Sequence, residues 1–341
     1  MMRLDFDRLN DQATLDLGLS GVTVKLCRAC ARKRLVLTLT DPRKCRSGSP
    51  QSQRSSVVGI RSKSQLACHT SQCRFVIPAA TPHMGDTDVK IVVIGGTGLV
   101  GRQLVAILIE QGLDAIAAAP SIGVDTLSGA GLAGALAGAH TVVDVSNAPS
   151  FEDAAVLDFF AHSASNLTRA ARAAGVRRIV ALSVVGTDRL QASSYFRAKQ
   201  AQERIIAASG VPFTIVRATQ FYEFMATIAA GYTDGDLVRL PTFALQPIAS
   251  CDVAEALADV VTAPATGRTI EIAGPERAAL AEFVGTWLGE HDDPRAVTFD
   301  DSNLYFGASA DDATLVPGEG ARIMPTRFDA WLSAQRRSEA A

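Results

Sequence analysis

The chain has 341 residues, of which 48% are hydrophobic and 20% charged, and it carries a net charge of −2. That length can bury a full core in one large domain or two, and the composition is that of an ordinary soluble globule. No run of roughly 18 apolar residues occurs, so no membrane-spanning helix is expected.

The near-neutral total conceals an asymmetry. Residues 1–83 hold 14 Lys and Arg against 5 Asp and Glu, whereas residues 84–341 hold 19 against 30. Five of the six cysteines (Cys27, Cys30, Cys45, Cys68 and Cys73) also lie in the first part. A break this sharp marks a boundary near Met84. Asp5, Asp7, Asp11 and Asp16 argue against a secretory signal or an acid-poor transit peptide, so a cytoplasmic location is expected.

Three readings compete for residues 1–83. Cys27-x-x-Cys30 with Cys68-His69 and Cys73 could hold zinc, although the second pair is widely spaced. Arg32-Lys33-Arg34 with Arg43, Lys44 and Arg46 could bind nucleic acid, but Phe6 and Phe75 are the only aromatics available for stacking. The third reading is a disordered extension, favoured because the segment lacks periodicity and a packable core. Leu35 to Leu39 could form a strand but has no clear partner. Met84-Gly85-Asp86-Thr87-Asp88, running into the first strand, resembles a natural N-terminus.

From residue 84 the elements alternate. Val89 to Ile94 holds five β-branched residues in six positions, a composition that suits a buried parallel strand. Gly95-Gly96-Thr97-Gly98-Leu99-Val100-Gly101-Arg102 follows and opens an apolar helical pattern. Strand, glycine turn and helix in that order make a dinucleotide site. The glycines let the backbone approach a pyrophosphate, and the helix N-terminus offers N–H groups and a positive dipole end. Helix one should stop at Gly112, and strand two should be Asp114 to Ala119.

Strand two ends Ala118-Ala119-Pro120-Ser121, without the carboxylate that NAD-preferring sites place there. Ser121 and Arg102 could reach a 2′-phosphate, so NADP is preferred with NAD possible, although Ser121 reads equally well as a turn residue. The crossover to Asp125-Thr126-Leu127 is too short for a helix, so the sheet is abbreviated there. A small-residue helix ends near Ala139. Thr141 to Val145 is a further strand, and Ser146 and Asn147 fall at its carboxyl end, where open α/β sheets bind ligands. A long helix over about Glu152 to Ala174, a strand at Arg178 to Ser183, a helix from Ser193 and a strand at Phe213 to Arg217 complete the pattern. Later come Asp252 capping a helix at Val253 to Val261, a strand at Thr269 to Ile272, and helices at Leu280 to Leu288 and Arg327 to Ala334. The expected fold is an α/β doubly wound parallel sheet of Rossmann type over residues 84–335. Residues from about 220 onward should form a small α+β substrate-binding portion.

Ser183 ends a strand, and Tyr195-Phe196-Arg197-Ala198-Lys199 follows. On a helix Tyr195 and Lys199 share a face. There Lys199 can hold cofactor ribose hydroxyls and lower the phenol pKa. Tyr195 can pass a proton to or from a carbonyl or alcohol oxygen, and Ser183 can hydrogen-bond that oxygen.

These motifs, together with Ala173 to Ser183, Gln246 to Ala254 and Gly274-Pro275-Glu276, resemble the short-chain dehydrogenase/reductase superfamily over about residues 84–332. The atypical NmrA-like branch is the nearest match. The resemblance implies NAD(P) binding. It also implies that Asp125 touches adenine and that Asn166 is a fourth polar residue of the active site. NmrA-like proteins include cofactor-sensing regulators without turnover.

Two functions follow. One is NAD(P)-dependent reduction of a small carbonyl, enone or quinone; the other is a non-catalytic cofactor-binding regulator or accessory subunit. The presence of Ser183, Tyr195 and Lys199 together favours the enzyme. A nucleotide-sugar epimerase shares that triad, but no sugar-nucleotide motif is recognisable. Phe221, Tyr222, Phe224 and Met225 are candidate pocket residues, and Tyr305 and Phe306 candidate lid residues; ordinary core packing is the competing reading. No sequence mark separates monomer from homodimer.

Overall fold

The computed structural model describes residues 12–16, 23–27, 89–150 and 152–339. The chain divides into two units, Met1–His83 and Met84–Ala341. In the first, Gln12–Asp16 and Thr23–Cys27 pair as an antiparallel ribbon with Thr14 opposite Lys25, an element the sequence reading did not assign. The Cys27 side chain, Cys30, Cys68, Cys73, the basic tracts and the Leu35 to Leu39 run lie outside the described residues.

The second unit is built on the strand Lys90–Ile94, here β1. In chain order follow α1 (Leu99–Glu110), β2 (Asp114–Ala118), α2 (Leu132–Leu136), β3 (Thr141–Asp144), α3 (Asp153–Ala173) and β4 (Arg178–Val184). Next are α4 (Ser194–Ala207), β5 (Phe213–Ala218), α5 (Met225–Gly231), β6 (Leu237–Pro241), α6 (Ser250–Thr262) and β7 (Thr269–Ala273). The last are α7 (Leu280–Glu290), β8 (Ala296–Asp300), β9 (Arg322–Ile323) and α8 (Phe328–Glu339). Seven strands form one parallel sheet in the order β9-β7-β5-β4-β3-β1-β2.

The β-branched run of β1 is buried on both faces, as a central parallel strand requires. Ile91 and Val93 pack with Leu104 and Leu108 of α1 and with Val253 and Leu257 of α6. Val92 and Ile94 face the opposite layer, with Leu132, Leu167 and Ile206 of α2, α3 and α4. A doubly wound sheet is the result.

The sheet is shortened where expected, and more than expected. Asp125-Thr126-Leu127 is a turn, so β2 is the sheet edge. Only a 3₁₀ turn at Pro120–Ile122 and the five-residue α2 lie between β2 and β3. The portion after residue 220 is not a separate block either. The three-stranded sheet of β8, β6 and Thr233–Asp234 stands apart, but α6, β7 and β9 return to the main fold. Asp252 does not cap α6, which starts at Ser250. Its buried carboxylate instead accepts from the Thr326 amide at 2.9 Å and hydroxyl at 2.8 Å, tying α6 to the C-terminal segment.

Candidate active site

β1 hydrogen-bonds to β2 on one side and β3 on the other, with Ile94 opposite both Ala118 and Asp144. Strand order reverses here, and ligands of open α/β sheets bind beyond the carboxyl ends at such a point. The glycine turn occupies that place. The Gly95 and Gly96 amides both donate to Ala118 O, at 2.8 and 3.2 Å, which anchors the turn on β2. Gly95 has φ +77°, and a Cβ there would meet the Ser146 backbone at 2.9 Å. A Cβ at Gly101 would fall 2.1 Å from Gly95 O, so glycine at 101 is needed to seat α1 on the turn. At Gly98 a Cβ would meet only Gly95 O, at 3.2 Å, and Thr97 and Gly98 are exposed.

The first turn of α1 carries no acidic residue, and its N–H groups lack intrahelical partners. Gly95, Thr97, Gly98, Leu99, Val100, Gly101 and Ser146 are therefore brought together at one strand end, with Asn147 exposed beside them. This cradle suits a dinucleotide pyrophosphate. Arg102 and Ser121 are exposed on the two segments that flank it. Asp125 closes its own turn: its carboxylate accepts from the Leu127 amide and the Ser128 hydroxyl, both at 2.8 Å, and the Ser128 bond lowers its pKa.

Ser183 is buried near the carboxyl end of β4, opposite Arg217 of β5. Its hydroxyl lies 3.4 Å from that of Thr187. Tyr195 and Lys199 stand one turn apart on α4, in the layer that packs on this face of the sheet. Lys199 is 4% exposed. Its ammonium donates to Leu182 O at 2.8 Å, next to Ser183, and to Gln202 Oε1 at 2.5 Å, and it lies 4.5 Å from the Phe160 ring centroid. Burial lowers its pKa to about 8, against the opposing pull of Asp144 and Glu203. Burial raises the Tyr195 phenol to about 12. The expected lowering by Lys199 does not appear, and the phenol is protonated at neutral pH.

The sequence reading missed three members of this cluster. Gln202 Nε2 donates to Asp144 Oδ2 at 2.8 Å, so one amide links Lys199 to a buried carboxylate at the end of β3. The other oxygen of Asp144 accepts from the Ser146 hydroxyl at 2.6 Å and amide at 3.1 Å. The nucleotide cradle and Lys199 therefore share one hydrogen-bonded chain. Phe160 of α3 meets Tyr195 edge-on, with centroids 6.0 Å apart. Signals for two of these exist in the sequence: Gln202 follows Lys199 by one helical step, and Asp144 ends an otherwise uncharged strand.

Asn166 is corrected. Its amide donates to Thr126 O at 3.0 Å and Leu127 O at 2.9 Å, and its oxygen accepts from Arg169. It pins the loop after β2, while α3 presents Phe160 to Tyr195 and Lys199. The proposed pocket residues also divide. Tyr222 and Met225 are fully buried in the C-terminal core, Tyr222 donating to Thr326 O at 3.1 Å. Phe221 and Phe224 stack with centroids 5.3 Å apart, and Phe224 is 42% exposed. Tyr305 is buried and contacts Phe196 edge-on, while Phe306 is exposed.

Among the described residues no group of three His, Cys, Asp or Glu side chains is placed to hold a metal. No helix there is long and apolar enough to cross a membrane.

Comparison with known proteins agrees with this geometry. A family model described as NAD(P)H-binding matches residues 95–264. A (4-alkanoyl-5-oxo-2,5-dihydrofuran-3-yl)methyl phosphate reductase from Streptomyces griseus is 30% identical over 209 residues, spanning 56% of this chain and 70% of the relative. Among solved structures, a dTDP-4-dehydrorhamnose reductase from Bacillus anthracis in complex with NADP superposes with a TM-score of 0.58 at 15% identity, covering 73% of this chain and 99% of that one. An NADPH-dependent quinone oxidoreductase from Escherichia coli, complexed with NADPH, gives 0.54 at 19% identity, covering 72% and 99%. At these identities the two structures establish the shared fold.

Proposed function

Because the chain belongs to the NAD(P)H-binding family of atypical short-chain dehydrogenase/reductase proteins, we propose that it is an NAD(P)H-dependent reductase of a small conjugated carbonyl, an enone or a quinone. The observation that carries this reading is the hydrogen-bonded chain from the glycine cradle through Ser146, Asp144 and Gln202 to Lys199, one helical turn from Tyr195. It would couple a dinucleotide site to Lys199, beside the proposed proton donor.

The cradle residues Gly95 to Gly101 and Ser146 would hold the pyrophosphate, and Lys199 the nicotinamide ribose. The bound cofactor supplies a hydride. Lys199 is oriented by Leu182 O and Gln202, and an ammonium has three N–H donors, so a ribose hydroxyl would be its third partner. Ser183 would hold the substrate oxygen, and Tyr195 would deliver the proton as negative charge develops there. The high phenol pKa suits the reductive direction, since the phenol is protonated at neutral pH. NADPH is preferred over NADH, because no carboxylate ends β2 and Arg102 and Ser121 flank the cradle. The Streptomyces relative, named for reduction of an unsaturated lactone, supports the conjugated-carbonyl class.

A cofactor-binding regulator is the second reading. Its supporting observation is Phe160, an apolar ring packed beside Tyr195 and Lys199 where a polar fourth residue was expected. NADPH oxidation followed at the nicotinamide absorbance, with enones and quinones as acceptors, tests the first reading. Tight NADPH binding with no turnover of any acceptor would favour the second.

A further inference from the structure

Arg217 of β5 stands in register with Ser183 of β4. Side chains alternate along a strand, so residues two apart share a face. Ala181 and Ile215 pack in the layer of α3 and α4, and Ser183 and Arg217 therefore face that layer as well. There Arg217 reaches α4. Its Nε donates to Glu203 Oε1 at 2.9 Å and its Nη2 to Oε2 at 2.7 Å, a two-pronged ion pair between nearly buried side chains. Its Nη1 lies 3.1 Å from Asp188 Oδ2, in the loop that joins β4 to α4. One guanidinium thus joins three elements around Ser183: the next strand, the helix of Tyr195 and Lys199, and the connection between them.

That connection governs the geometry of the site. Ser183 lies near the end of the strand and Tyr195 at the start of the helix, and both must reach one substrate oxygen. Glu203 follows Lys199 by one helical step of four residues, so Tyr195, Lys199 and Glu203 share a face of α4. Thr187, immediately before Asp188, is fully buried. Its hydroxyl donates to Val184 O at 2.5 Å and lies 3.4 Å from the Ser183 hydroxyl. With its own proton committed, Thr187 accepts from Ser183, so the place of Thr187 sets the direction of the Ser183 proton. Arg189 is engaged elsewhere, donating to Ala313 O and Val316 O of the C-terminal portion. Asp188 is the loop's ionic tie to the sheet. A buried ion pair is a poor source of stability, since an apolar pair of similar volume often serves as well or better. The worth of this one lies in the geometry it fixes.

We propose that Arg217 is a positioning residue for the reduction: through Glu203 and Asp188 it sets the separation of Ser183 from Tyr195, and it acts on the chemical step rather than on binding. The inference rests on the reductase reading above. All three guanidinium nitrogens are engaged by the two carboxylates, so Arg217 works through its neighbours and not as a contact of the substrate. The chemical step is the sensitive one, because a misplacement of about 1 Å between reacting groups can cost about 10²-fold in rate.

The test uses the full chain with NADPH, benzoquinone and cyclohexenone as acceptors, and hydrogen exchange of the loop 185–193 read by mass spectrometry in the presence of NADP. Asp188 is half-exposed, so its substitution leaves the fold intact. Asp188→Ala should lower kcat by about tenfold, with KM and the NADPH Kd within about twofold and the Tm within about 2 °C. The loop should exchange about tenfold faster in that variant while α4 exchanges as before. Arg217→Lys keeps the charge and loses the fork, and should lower kcat at least as far. Adding Asp188→Ala to Arg217→Lys should cost little more, because both act through one guanidinium. Should Arg217→Lys fail to fold, the Asp188→Ala results decide alone. Faster loop exchange in a chain that reduces no acceptor would support the clamp while removing the reductase reading. Four results would overturn the proposal: unchanged loop exchange in Asp188→Ala, unchanged kcat in that variant of an active chain, a loss confined to KM (which would make Asp188 a substrate contact), or fully additive losses in the double variant.

Discussion

Lys199 and Asp144 are joined through a single side chain: the Gln202 amide accepts from the ammonium at 2.5 Å and donates to the carboxylate at 2.8 Å. The link makes Gln202 a positioning residue for Lys199. Gln202→Leu should weaken NADPH binding by about tenfold, the scale of one charge-assisted hydrogen bond. It should also move the alkaline limb of the binding profile to lower pH, because the lost acceptor favoured the charged ammonium. Gln202→Glu should restore affinity and move that limb upward. A role confined to packing would change Tm and leave the limb where it was.

The pH dependence of the wild type follows from Lys199 itself. Burial holds its pKa near 8, below the ordinary 10.5. The ammonium is therefore charged below about pH 8 and neutral above it, and NADPH affinity should decline as pH rises through that value. Stability runs the other way. The folded state binds fewer protons than the unfolded state between about 8 and 10.5, so the Lys199 contribution to stability rises over that window. Measured against Lys199→Met, the wild type should gain Tm between pH 8 and 10 while losing cofactor affinity. A wild-type binding profile flat through pH 9 would remove the charge of Lys199 from cofactor binding.

The glycines of the turn should separate by function. A methyl at Gly101 collides with Gly95 O at 2.1 Å, so Gly101→Ala should lower Tm by about 5–10 °C, as overpacking does in a domain of this size. A methyl at Gly98 meets only Gly95 O at 3.2 Å on an exposed turn. Gly98→Ala should fold with nearly unchanged Tm and lose NADPH affinity by about tenfold or more, because the added carbon stands where the backbone approaches the pyrophosphate. Equal effects of the two substitutions on Tm would contradict this division.

A chain starting at Met84 should keep both the Tm and the NADPH affinity of the full protein, since strand β1 and its cradle lie after that point. A large loss of either, or stoichiometric zinc in the full chain by metal analysis, would give residues 1–83 a role in the dinucleotide unit.

The parts of the molecule legible in the sequence are those where local pattern and tertiary burial coincide. β1 declared itself by β-branched residues buried on both faces, and the turn after it by glycines whose absent side chains the backbone requires. Tyr195 and Lys199 share a helix, so their spacing alone placed them together. Asn166 misled because a polar residue on a long helix does not announce its register, and the shortened crossover after β2 brought the Thr126 and Leu127 carbonyls within its reach. Tyr222 and Met225 misled for a different reason. They lie one and four residues after Phe221, beyond the carboxyl end of β5, yet both sit in the C-terminal core with Phe328 and Trp331, contacts that come from a distant part of the chain. Phe160 was invisible because its role arises only when α3 and α4 come together, and the lone charge at Asp144 had no partner until Gln202 of α4 met it.

Tyr195 decides between enzyme and regulator. Its phenol is raised to about 12 by burial, so at neutral pH it holds its proton until negative charge develops on a substrate oxygen. Tyr195→Phe removes that proton and one oxygen atom, and it keeps the edge-on contacts with Phe160 and Phe196, which involve only the ring. NADPH affinity should therefore hold, while turnover of an enone or quinone falls by about 10²-fold or more, the usual scale for a lost general acid. Lys199→Met should differ in kind, lowering cofactor affinity and turnover together, because the ammonium serves the ribose as well as the site. A variant Tyr195→Phe with full turnover would exclude the phenol as the acid and leave Ser183, or a water held by it, as the proton source. If Tyr195→Phe instead altered NADPH affinity as much as Lys199→Met does, the phenol would belong to the cofactor site; a regulator would show no acceptor-driven NADPH oxidation in the wild type and no change in Tyr195→Phe.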